Sequence, residues 1–209
     1  MKLLHQGMAV FLCGSFVLAS MENGLAVPTT TSQPEPKGVQ QGPEQLRQLV
    51  APIALYPDAL VGEILAAATY PSEVVAAEHW MEQHKGLTGD ALAQEVNKQS
   101  WDPSVKALTQ TPAVLANMNQ NLAWTSELGD AYVNQRQSLT EAIQTMRHRA
   151  KDAGNLKSTA QEKVVDEGQT IDVEPVSTDT VYVPQYDPWL VYGDAVPVFP
   201  GWAPWAGLY

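Results

Sequence analysis

Thiols are nearly absent from this sequence. Its one cysteine, Cys13, sits inside the apolar run "MAVFLCGSFVLA" at 8–19. If that run leaves with a targeting segment, the mature chain has no thiol, which excludes disulfides and cysteine-ligated zinc. Lipid anchoring through Cys13 is not expected either, because Phe11 and Leu12 are bulky where such processing wants small residues. Positive charge is scarce too: 12 Lys and Arg stand against 23 Asp and Glu, a net charge of −11. Phosphate neutralisation needs clustered cations, so no nucleic-acid partner is expected, and anionic lipid is disfavoured on the same ground. After the N-terminal run no stretch reaches the roughly 20 apolar residues that cross a bilayer, so the mature protein is expected to have no membrane span.

What is present reads as an exported globular protein. The chain is 44% hydrophobic and 17% charged, a balance that supports a core and opposes wholesale disorder. Lys2, the apolar run and the small residues of "GLA" ending at Ala26 give residues 1–26 the form of a signal peptide. "VLA" ending at Ala19 offers a second cleavage point. The expected location is the bacterial periplasm. Residues 27–43, including "PTTTSQPEPKGVQQGP", lack apolar periodicity and read as a flexible linker.

Helical patterning covers 44–157, opening with Leu46, Leu49, Val50 and Ile53 at helix spacing. Two Tyr-Pro dipeptides, Tyr56-Pro57 and Tyr70-Pro71, bracket an apolar stretch. Proline pushes the residue before it away from the helical conformation and fits the first helical position, so each dipeptide predicts a helix start with its tyrosine packed at the junction. "DPSVKAL" and "TPAVLANM" repeat the device. From about Ser126 to Ala153 one long helix is expected, with Leu128, Tyr132, Gln135, Leu139, Ala142 and Met146 as its packing seam.

After Leu156 the pattern changes. Residues 162–188 are rich in β-branched residues and broken by "DEG" and "STD", so 158–193 reads as a small antiparallel β-meander completing the same domain. Residues 194–209 form a Pro, Gly and aromatic tail, either an extended binding segment or one that packs back on the body. From 158 onward there are eight acids and one base. The expected fold class is α+β, mainly α.

The phrases "LVAPIALYPDALVGEILAAATYPSEVVAAEHW", "NLKSTAQEKV", "IDVEP" and "VYVPQYDPWLVYG" resemble an exported bacterial family known only as domain of unknown function 3300. The resemblance runs from about residue 45 to 193. It implies an envelope-directed helical domain and carries no catalytic residue.

Chemistry is sparse. His79 and His84 stand five apart, displaced by roughly 140° around a helix, which does not suit a shared metal. His148 lies in the basic run "MRHRAKD", where cations favour a helix C-terminus. There is no HExxH and no GxSxG, and no metal or cofactor is expected. Asp58, Glu63 and Glu73 are the carboxylates that could meet across a helix junction, as a hydrolase of envelope glycan would need. The alternative, and the preferred reading, is a non-catalytic binding or scaffold domain for an envelope protein or cell-wall glycan. Its candidate ligand-binding residues are Tyr182, Tyr186, Trp189, Trp202 and Trp205. Tyr182 and Tyr186 would point to one side of an extended segment, about 13 Å apart.

Overall fold

Prolines open four of the helices in the computed structural model, which describes residues 40–177 and 182–204. The order is α1 (Pro43–Val50), α2 (Asp58–Ala67), α3 (Pro71–Gln83), α4 (Gly89–Asn97), α5 (Pro103–Leu108), α6 (Pro112–Gln120), α7 (Leu122–Asn134) and α8 (Arg136–Asp152), followed by strands β1 (Glu162–Asp166) and β2 (Ile171–Pro175). The fold is thus mainly helical with a small antiparallel sheet near the C-terminus. The signal-peptide reading, Cys13 and most of the linker fall outside the described residues.

Pro43, Pro71, Pro103 and Pro112 take the first helical turn, where a missing N–H loses no helix bond. Pro57 stands one place earlier, immediately before α2. Asp102 caps α5, its Oδ1 accepting from Ser104 N at 2.9 Å. The hairpin pairs Glu162 with Pro175 and Asp166 with Ile171. Two strands are therefore present among the described residues, and 182–187 add none.

The long helix expected from Ser126 to Ala153 is two helices. The break falls at Gln135, whose backbone leaves the helical region at φ −139°, ψ 36°. Its side chain explains why. Gln135 Oε1 accepts from Gln41 N at 2.8 Å and its Nε2 donates to Gln41 O at 2.9 Å, so one amide ties the chain entering α1 to the α7–α8 junction. Close approach elsewhere in α7 depends on Gly129. A Cβ there would lie 2.2 Å from the Ala68 carbonyl oxygen, so α7 can meet the end of α2 only without one.

One continuous core includes Leu46 and Leu49 of α1, Ile64 of α2, Leu128 of α7 and Met146 of α8. Ile171, Val173, Tyr192, Val196, Val198 and Trp202 join it from the C-terminal part. Each large side chain so buried contributes roughly 1.5–3 kcal/mol.

At the centre of this core lies a stretch that is not helix. Every residue from Ala51 to Pro57 is buried, as are Leu49 and Val50 at the end of α1, and 51–56 is a run of turns. Buried turn backbone must find partners, since an unpaired polar group costs about 1–3 kcal/mol. Backbone carbonyls accept from the N–H groups of Ala51, Ile53, Ala54 and Tyr56, and side chains supply donors to the carbonyls. Trp124 Nε1 donates to Leu49 O at 2.7 Å. The hydroxyls of Tyr186 and Tyr192 both donate to Ala51 O. Arg147 donates from Nε to Ala54 O at 2.8 Å and from Nη2 to Tyr56 O at 3.1 Å. The phrase "LVAPIALYP" is thus a buried plug, fastened by α7, α8 and the C-terminal segment.

Candidate functional site

The expected aromatic site resolves into rings with different surroundings. Tyr186 is part of the plug's fastening: besides its bond to Ala51 O, its hydroxyl oxygen accepts from Leu55 N at 3.4 Å. Its ring lies edge-on to Tyr56 at 5.9 Å and to Tyr192 at 6.3 Å. Trp202 is buried at 6% exposure and tilts against half-buried Trp189 at 5.5 Å. Tyr182 stands at the surface, and Trp205 lies outside the described residues. The gap bounded by Pro52, Tyr56, Pro184, Tyr186 and Trp202 holds about 10 Å³, at the lower limit for a single water. Residues 194–204 therefore pack back on the body. Asn121 clips them there, its Oδ1 accepting from Ala203 N at 2.6 Å and its Nδ2 donating to Ala203 O at 3.1 Å.

Burial sets the electrostatics of this region. Desolvation pushes the hydroxyls of Tyr56, Tyr186 and Tyr192 above their ordinary pKa. Glu162, 6% exposed at the start of β1, is pushed up to about 7, chiefly by loss of water and against the pull of Arg147. Its Oε1 has no hydrogen-bond partner among the described residues.

The carboxylates of the hydrolase alternative have separate partners. Asp58 Oδ1 accepts from Arg147 Nη1 at 2.6 Å and its Oδ2 from Val173 N at 2.9 Å, joining α2, α8 and β2. Glu73 Oε2 accepts from Asp102 N at 2.6 Å. Glu63 is half-buried on α2, and desolvation raises its pKa. Among the histidines, His79 bonds Gln83, His148 approaches Gln169 O, and His84 stacks on Trp80 at 4.0 Å. Among the described residues no three His, Cys, Asp or Glu side chains gather as a metal set.

Open space occurs elsewhere. A trough of about 590 Å³ runs beside α1 and the end of α7, with Gln45, Gln48, Glu127, Asp130 and Phe199 on its walls. A second depression of about 540 Å³ lies where Met81, Leu87, Leu92 and Leu115 meet, rimmed by Glu82 and Lys85. Both fall within the usual range for small-molecule sites. The signal for the first in the sequence is the pair Gln45 and Gln48, three apart on α1, with Gln41 just ahead of that helix. Arg147 belongs to the basic run expected at a helix C-terminus, yet it is buried on one face with Ile143, Met146 and Ala150.

Comparison with known proteins adds a family and no activity. Residues 42–204 match the family described as "Protein of unknown function (DUF3300)". The chain is 35% identical to "Uncharacterized protein YacH" of Escherichia coli (strain K12), over 72% of this chain and 30% of that relative. It thus spans under a third of the relative's length. No solved structure matches. With most of the described body inside the matched region, the chain belongs to the DUF3300 family.

Proposed function

We propose that this chain is an exported cell-envelope protein whose body acts as a non-catalytic binding or scaffold module for an envelope protein or wall glycan. One observation carries the reading: the groups best suited to chemistry are bonded into the fold rather than presented in a cleft. Arg147, Asp58, Tyr186 and Tyr192 all hold the plug or the strand beside it. Export is supported by the pattern of residues 1–26, with its basic start, apolar run and small residues before the cleavage point. Within the C-terminal segment, Tyr182 and Trp189 keep accessible ring surface for a partner, while Tyr186 and Trp202 hold the segment in place.

Cosedimentation with isolated cell-wall sacculi and with solubilised envelope proteins tests the reading. The mature chain is expected to be retained by one of them without releasing soluble glycan. Retention by neither would remove the binding role. Release of soluble fragments, lost in Glu63→Gln, would replace it with the hydrolase.

A further inference from the structure

The trough beside α1 and α7 has a composition that selects its ligand. Gln41, Gln45 and Gln48 enter from the α1 side at spacings of four and three, and Glu127, Asp130 and Asn134 from α7 at spacings of three and four. On the helices these spacings put Gln45 with Gln48, and Glu127 with Asp130 and Asn134, on one face, while Gln41 reaches the trough from the chain just before α1. Phe199 and Pro200 close one wall, held by a turn in which Trp202 N donates to Phe199 O at 3.0 Å and Gly201 takes φ 82°. Burial of Trp202 thus positions an aromatic ring at the trough.

Part of the polar lining is already engaged. Gln41 Nε2 donates to Glu127 Oε2 at 3.0 Å, and Gln45 Oε1 accepts from Gly42 N at 2.8 Å. The half-buried amide of Gln48 and the carboxylate of Asp130 make no side-chain hydrogen bond among the described residues. They face a space of about 590 Å³ that no Lys or Arg lines among the described residues.

Each ligand class meets this surface differently. An anion would face Glu127 and Asp130 with no cation among the described lining residues to offset them. A wholly apolar ligand would strand amides that need partners. A neutral sugar offers hydroxyl donors to the carboxylates, donors and acceptors to the amides, and a C–H face to Phe199. We infer that this trough binds a neutral oligosaccharide, with Asp130 and Gln48 as its free hydrogen-bonding groups and Phe199 as its apolar wall. The inference rests on the binding-module reading above and names its site and ligand class.

Titration calorimetry of the mature chain with chitotetraose, cellotetraose and a Gly-Ser peptide of similar length tests it. Saturable binding of an oligosaccharide is expected, weakened about tenfold or more by Asp130→Ala and by Gln48→Ala. Lys85→Ala, in the other depression, should leave it unchanged. Both trough variants are at exposed or half-buried positions, and a melting curve matching that of the parent excludes misfolding as the cause. Silence toward both sugars overturns the inference, and binding of the peptide alone replaces the sugar with an extended chain. Retention on sacculi that survives Asp130→Ala moves the site while leaving the binding role intact.

Discussion

Tyr56-Pro57 and Tyr70-Pro71 are the same dipeptide, each placed at the start of a helix, yet their tyrosines end in opposite environments. Tyr56 is 2% exposed and Tyr70 41%. Tyr56 lies in the plug, its carbonyl held by Arg147 and its ring against Tyr186. Tyr70 sits at the surface beside Asp102 and Glu73. Both hydroxyls have raised pKa values from different leading causes: desolvation for Tyr56, and the Asp102 charge for Tyr70. Proline sets the local backbone in both places. What covers the ring is decided by elements arriving from far along the chain.

The largest expected effect breaks the buried junction. Arg147→Ala leaves the carbonyls of Ala54, Tyr56 and Ile171 short of a donor and should destabilise by roughly 3–5 kcal/mol in urea unfolding. Gly129→Ala attacks the approach to the second junction, pressing a methyl into Ala68 O. It should cost about 1–3 kcal/mol, read as a lower denaturation midpoint.

Glu162→Gln sharpens the comparison through pH. The folded carboxyl loses its proton near 7 and the unfolded one near 4.5, so between those values the folded state holds more protons. Stability therefore falls as pH climbs from about 4.5 to 7 and is level above. The variant should remove that slope, melting about 2–5 °C higher than the parent at pH 8 and at the same temperature at pH 4. Tyr70→Phe should do least, moving the midpoint by under about 2 °C at neutral pH.

Much of the helical outline was legible because proline and capping residues act locally. Pro71, Pro103 and Pro112, and Asp102 with Ser104, announce helix starts without reference to anything distant. The break at Gln135 was not legible, since it depends on an amide reaching Gln41, 94 positions away, with no proline or glycine at the site. Arg147 was hidden by its company: the basic run "MRHRAKD" fits a helix C-terminus, and only its place beside Met146 of the seam hints at burial. The C-terminal rings have no helix or strand period, so pattern alone could not separate Trp202 in the core from Tyr182 outside. For the trough, the glutamine spacing on α1 was readable, but its meeting with Asp130 required the packing of α1 on α7.

The plug also sets an order of events as the chain is made from its N-terminus. The hydroxyls that close Ala51 belong to residues 135 and 141 positions later. A chain that has emerged only through Asp152 can bring α1 beside α8 and let Arg147 reach Ala54, but Ala51 still awaits Tyr186 and Tyr192. Loop closure over such distances is slow relative to helix formation. Ala51 O therefore stays open to water until Tyr186 and Tyr192 arrive, which defers closure of the plug until the C-terminal segment is available.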